Sequence, residues 1–283
     1  MIEGTPSRTA LRVAMRRAAH QVFDRPLVLE DPVALRILPQ EQQDEVKRTP
    51  DGLRKPFSAA IRAFMVVRSR YAEDLLGTAV ARGLSQYVLL GAGLDTFAYR
   101  NPFPSLRVFE VDFPATQVWK RSLLEEAGVP LPGNARYAPV DFEEHSLADG
   151  LAEAGFDFSQ PAFFAWLGVV PYLTERGFSE TLRFIAERPA GSGVVFDYSQ
   201  PREVLPPVEQ MMLDSMSARV AQAGEPFQLF FRKEELSNRL TEAGLREIED
   251  LGGPDLSARY LAGREDGLVL RGSGGRIMSA WRR

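Results

Sequence analysis

Apolar and polar positions change rhythm near residue 85. Before that point apolar side chains recur every three to four residues, the spacing of helices with one buried face. Residues 7–23 place Leu11, Val13, Ala14, Ala18 and Val22 on such a pattern, with Arg12, Arg16 and Arg17 between them. Asp31-Pro32 reads as a helix cap followed by proline at the first helical position. A polar stretch, 40–55, is interrupted by Pro50-Asp51-Gly52. From Phe57 onward Ile61, Phe64, Met65, Tyr71, Leu75, Leu76 and Val80 predict one or two further helices. Beyond residue 85 short apolar runs alternate with amphipathic ones. This predicts strands near 86–90, 107–112, 135–140, 162–167 and 193–198, with helices at 114–127 and 175–187 in the gaps. Helices over 204–223 and 232–243 and a strand over 245–251 follow, and the tail from Gly267 to Trp281 reads as a terminal hairpin or a single edge strand. The pattern predicts an α/β fold with a mostly parallel sheet. A helical cap over 1–84 packs on a domain over 85–283, which carries a helical insertion near 204–231.

The candidate chemistry sits where the predicted strands end. Tyr87-Val88-Leu89-Leu90 runs straight into Gly91-Ala92-Gly93, a turn that lets a ligand approach bare backbone. About twenty residues later Arg107-Val108-Phe109-Glu110-Val111-Asp112 ends in a carboxylate. In an open α/β sheet these two strand ends are neighbours, and an acid there accepts hydrogen bonds from ribose hydroxyls. Two cofactors suit the pair, a nicotinamide dinucleotide and S-adenosylmethionine. The dinucleotide fingerprint places a third glycine where this chain has Thr96, and Asp95 is a poor neighbour for a pyrophosphate at a helix start. The balance favours the methyl donor. The next predicted strand ends in Asp141-Phe142, an acid for the adenine amino group and a ring for the purine face; alternatively Asp141 caps a helix beginning near Glu143.

Composition narrows the rest. The chain of 283 residues has no cysteine and two histidines, His20 and His145, which removes thiolate chemistry and multi-histidine metal sites. No metal is expected. The formal net charge of -4 gives no electrostatic case for nucleic acid. The longest uncharged apolar stretch, 158–174, is broken by Pro161, Gly168 and Pro171 and is too short to span a bilayer. The N-terminus lacks the pattern of a secretory signal. A cytoplasmic protein with a small-molecule partner, and neither nucleic acid nor membrane, is the expectation.

Taken together, Leu90 to Arg100, Phe109 to Pro114, Asp141-Phe142 and Trp166-Leu167-Gly168-Val169-Val170-Pro171-Tyr172-Leu173-Thr174 resemble bacterial methyltransferases related to leucine carboxyl methyltransferase. The likeness extends to Thr9-Ala10, Arg17-Ala18, Asp31 to Ala34, Val67 to Tyr71 and Ala258-Arg259-Tyr260, nearly the whole chain. It implies a class I, Rossmann-like fold, a seven-stranded mostly parallel sheet with an antiparallel edge strand. It also implies S-adenosylmethionine as donor and S-adenosylhomocysteine as product. Arg68 then holds the methionine carboxylate, with Arg70 as a competing candidate, and Gly91, Ala92 and Gly93 line the methionine end. Asp112, with Phe113 beside it, takes the ribose, Glu110 being the substitute. Asp141 and Phe142 hold adenine, and Leu167 and Gly168 flank the sulfonium. Relatives that methylate a protein tail carry a glutamate where this chain has Leu167, which weakens transfer of that substrate. A small-molecule carboxyl or hydroxyl acceptor is expected. The candidates for contact with it are Tyr172 and Tyr198, at strand ends, and His20 as a base. The aromatic run Phe227 to Phe231 and Met211-Met212 are read as core or as an acceptor wall. The alternatives are an NAD-dependent oxidoreductase and a non-catalytic module that binds S-adenosylmethionine.

Overall fold

The structure is a computed structural model that describes residues 7–48, 55–140 and 146–283. Seven strands form one sheet in the order β3-β2-β1-β4-β5-β7-β6. They are β1 (Gln86–Leu90), β2 (Arg107–Asp112), β3 (Ala135–Pro139), β4 (Phe163–Trp166), β5 (Gly193–Ser199), β6 (Leu245–Leu251) and β7 (Gly275–Arg282). The first five are parallel, and β7 runs antiparallel to both β5 and β6. The tail is therefore neither a hairpin nor an edge strand. It inserts between β5 and β6, and the sheet edges are β3 and β6. The apolar run Ile277-Met278 with Ala280 fits that interior place, being buried against both neighbours.

The period-two alternation of the strands assigns the two faces of the core. Tyr87 and Leu89 of β1 point to one face and Val88 and Leu90 to the other. The first face is covered by helix α3, which runs unbroken over Pro56–Ala81 and buries Ala63, Val66, Val67, Tyr71, Ala72 and Leu76. This helix is part of the main core, sharing it with β1, β4 and β5. The opposite face is covered by α5 (Leu147–Glu153), α6 (Glu175–Ala186) and α8 (Lys233–Glu242). In α6 the buried Phe178, Thr181, Leu182 and Ile185 recur at helical spacing, and the Thr174 side chain caps its start by accepting from the Gly177 N–H at 3.1 Å. Each fully buried Phe or Leu contributes roughly 1.5–3 kcal/mol of transfer free energy.

A third cluster joins the N-terminal elements to the sheet. Helix α1 (Arg8–Phe23) and α2 (Gln40–Arg48) pack with Leu123 and Leu124 of α4 (Pro114–Glu126) and with Leu94, just beyond the glycine turn. Between α1 and α2 the chain from Pro32 to Ile37 is turns, not the helix that Asp31-Pro32 suggests. Asp31 does accept from the Val33 N–H at 3.2 Å, but its carboxylate is committed to Arg17 and Thr96, so it anchors a tertiary contact instead of opening a helix. Two further helices are present, α7 (Pro207–Gln222) in the predicted insertion and α9 (Gly253–Tyr260). Among the described residues no helix is long and apolar enough to cross a membrane.

Candidate donor-binding site

At the carboxyl ends of β1, β2 and β4 a cavity of about 550 Å³ opens between the sheet and α1. Its volume lies within the range of small-molecule and cofactor sites. The floor is the glycine turn. Gly91 has φ +66, and a Cβ there would sit 2.4 Å from Cγ2 of Val169. The position therefore demands glycine on both backbone and steric grounds.

Asp112 lines the cavity beside that turn. Its Oδ2 accepts from the Gly93 N–H at 2.6 Å and its Oδ1 from the Phe113 N–H at 2.7 Å. Burial pushes this carboxyl above its ordinary value even though both N–H groups favour the ionised form. Each oxygen retains a lone pair for a further donor. Glu110, one pleat earlier on the same face, does not line the cavity. It forms a buried pair with Lys120 of α4 at 2.7 Å, and burial raises its carboxyl to about 7.

Arg68 of α3 also lines the cavity. Its Nη1 donates to Oδ2 of Asp197 on β5 at 2.9 Å, and both side chains are buried. The other oxygen of Asp197 accepts from the Gly168 N–H at 2.6 Å. Gly168 has φ +74, and a Cβ would meet Nη2 of Arg68 at 2.8 Å. Asp197 thus sets both the arginine and the turn after β4. The remaining N–H groups of Arg68 donate to no described residue, which leaves a fork for an incoming carboxylate. Arg70, the competing candidate, faces outward and pairs with Asp74 at 2.8 Å.

Helix α1 supplies the roof through Thr9, Ala10, Val13, Ala14 and Arg17. Arg17 ties that roof to the floor, donating to Asp31 at 2.7 Å, to Asp95 at 2.5 Å and to the Thr96 hydroxyl at 3.0 Å. Burial opposes its charge, yet Asp95 and Asp31 hold the guanidinium above its usual range. The position where a dinucleotide fold needs its third glycine is therefore a buried threonine whose hydroxyl donates to Asp31 at 2.6 Å. Leu167, Tyr172 and Leu173 form the wall after β4. Phe227 packs on the Tyr172 ring with centroids 5.1 Å apart, while Phe231 is core against Phe178. Burial raises the Tyr172 phenol to about 12, against the influence of the Thr9 hydroxyl.

The structure brings Arg68, Gly91, Ala92, Gly93, Asp112, Phe113, Leu167, Gly168 and Tyr172 to one cavity. Asp141, Phe142 and His145 lie outside the described residues. Tyr198 and His20 are placed elsewhere. The Tyr198 hydroxyl donates to Asp250 at 2.9 Å, away from the cavity lining. His20 is fully buried within the N-terminal elements; Nδ1 pairs with Asp24 at 2.8 Å and Nε2 accepts from the Val28 N–H at 3.0 Å. Met211 is 71% exposed and Met212 43%, so neither walls the cavity. Sequence reasoning missed Asp197 and Glu225. An acid near the end of the apolar run of β5 was a signal for the first, parallel to that for Asp112. Glu225 follows α7 in a segment with no periodic pattern, and nothing local distinguishes it.

The family model described as leucine carboxyl methyltransferase matches residues 10–186. A Bacillus subtilis (strain 168) protein named "Putative S-adenosyl-L-methionine-dependent methyltransferase YktD" is 30% identical over 291 residues, covering 95% of each chain. A similarly named protein of Mycolicibacterium vanbaalenii is 31% identical over 239 residues, covering 76% of this chain and 77% of its own. Among solved structures, one titled as a putative methyltransferase from Thermobifida fusca YX superposes with a TM-score of 0.59 at 18% identity, covering 100% of this chain and 97% of the other. A DUF574 family protein from Streptomyces avermitilis gives 0.57 at 18% identity, covering 95% and 97%. At that identity the two structures speak for the fold alone.

Proposed function

The chain belongs to the leucine carboxyl methyltransferase family and is an S-adenosylmethionine-dependent methyltransferase; from that premise we propose that it methylates an oxygen, carboxyl or hydroxyl, of a small molecule. The observation that carries the reading is the convergence of a bare glycine turn, a buried acid and a buried arginine with free N–H groups on one cavity. In this reading Arg68 takes the methionine carboxylate as a bidentate partner. The turn Gly91-Ala92-Gly93 accommodates the methionine chain, Asp112 receives the ribose hydroxyls, and Leu167 with Gly168 borders the sulfur.

The donor, when bound, supplies an electrophilic methyl group on a positively charged sulfur. The protein's part is alignment and exclusion of water, which together reach about 7–11 kcal/mol in favourable cases. Leu167, where protein-tail methylating relatives carry glutamate, and the neutral Tyr172 give the cavity an uncharged wall after β4. The cavity roofed by α1 suits a small acceptor better than a folded partner's surface.

Titration calorimetry tests the donor assignment. Heat is expected with S-adenosylmethionine and S-adenosylhomocysteine and none with NAD; heat with NAD alone overturns it. Asp112→Ala should weaken S-adenosylhomocysteine binding by about 1–3 kcal/mol, the cost of losing a buried hydrogen bond to a charged group. Unchanged affinity in a folded variant removes Asp112 from the ribose role.

A further inference from the structure

We propose that Glu225 is the proton-accepting catalytic residue for a hydroxyl acceptor, so that the product is a methyl ether and not a methyl ester. The inference rests on the reading above that this cavity is where methyl transfer occurs, and it selects between the two acceptor classes left open there.

Charge at the cavity carries the selection. The cations among its described lining residues are Arg17 and Arg68. Arg17 is consumed by Asp31 and Asp95. Arg68 is divided between Asp197 and, in the proposed complex, the carboxylate of the donor. A carboxylate acceptor would find no cation left to hold it, and it would face a second carboxylate, that of Glu225, across the same space. Like charges brought together away from bulk water repel strongly. A neutral hydroxyl meets no such cost, and a hydroxyl needs a base where a carboxylate does not.

Glu225 is placed for that work. It is half-buried, and its Oε2 accepts from the Thr9 N–H at 3.2 Å and from the Thr9 hydroxyl in a short contact. Both hold the carboxylate from the roof and leave Oε1 accepting from no described residue. Thr9, Arg68 and Tyr172 line the same cavity as Glu225. Thr9, which holds Glu225, precedes Ala10, whose Cβ lies 3.1 Å from where a Cβ on Gly93 would stand, so Glu225 is beside the glycine turn that the reading above gives to the methionine chain. Glu225 takes the hydroxyl proton through Oε1 while a lone pair of the acceptor oxygen forms the new bond to carbon. The carbon–sulfur bond breaks with its electron pair remaining on sulfur, and Glu225 then passes the proton to water.

The test uses the full chain, donor carrying a tritiated methyl group, and a deproteinised bacterial metabolite extract as the acceptor pool. Labelled product is treated with mild alkali, which releases volatile methanol from esters and leaves ethers intact. A parallel run with a carbon-13 methyl donor distinguishes O-methyl from N-methyl by chemical shift. The expected result is alkali-stable O-methyl label that falls about 100-fold in Glu225→Gln, the usual effect of losing a general base, with S-adenosylhomocysteine affinity unchanged by calorimetry. Volatile methanol, N-methyl product, or label undiminished in the variant overturns the proposal. So does a matching loss of S-adenosylhomocysteine affinity, which would assign Glu225 to the amino group of the donor. If no product forms although S-adenosylhomocysteine binds, both this inference and the small-molecule transfer reading fail; volatile methanol defeats this inference alone.

Discussion

Replacing Arg17 with methionine should destabilise the protein by about 3–5 kcal/mol in urea unfolding, the cost of breaking a buried ion pair from one side. Arg17 is 4% exposed and holds three acceptors at once. Methionine preserves much of the packing along α1 but leaves the fully buried Asp31 carboxylate with Thr96, the Val33 N–H and a more distant Arg100 at 3.7 Å. The same variant should loosen the roof over the glycine turn, since Asp95 follows that turn and is tied to α1 through Arg17. Weaker S-adenosylhomocysteine binding is therefore expected beside the loss of stability. Removal of the exposed Arg176–Glu180 pair should leave stability unchanged, because water replaces it. If Arg17→Met unfolds at the same urea concentration as the parent, the network does not anchor the N-terminal helix.

Asp197→Ala should cost about 3 kcal/mol in the unliganded protein and less in the presence of S-adenosylhomocysteine. Two partners lose their acceptor, the buried Arg68 guanidinium and the Gly168 N–H. If Arg68 binds the carboxylate of the donor, the ligand returns a negative charge to it. At equal free ligand concentration the variant then binds more tightly and is stabilised by more than the parent. Urea unfolding with and without saturating S-adenosylhomocysteine measures the difference. An equal shift in both proteins would show that Arg68 is a structural partner of Asp197 and not a carboxylate receptor.

These two variants mark where local reading was sufficient and where it was not. The five parallel strands were legible as short, mostly apolar runs, and Gly91-Ala92-Gly93 announced a turn at the end of the first. Asp112 was legible because it terminates such a run beside the glycine turn. The helical spacing of α3 was legible, but neither its continuity as one helix nor its place on the main sheet face was, since an apolar stripe does not say which surface will cover it. The same ambiguity left the tail unresolved. Ile277 and Met278 suit an edge or an interior strand equally, and only pairing with β5 on one side and β6 on the other decides between them.

What the amino-acid order determined by itself was the alternation of strand and helix, the class of fold, the bare turn and the acid beside it, because these follow from side-chain periodicity and backbone sterics within a few residues. The tertiary structure alone decided the electrostatic partners. Arg17 reaches Asp95 across 78 positions, Arg68 reaches Asp197 across 129, and Thr9 reaches Glu225 across 216. Such pairs leave no periodic trace, since a charged side chain is compatible with solvent until folding brings its counterpart within bonding distance and removes the water between them.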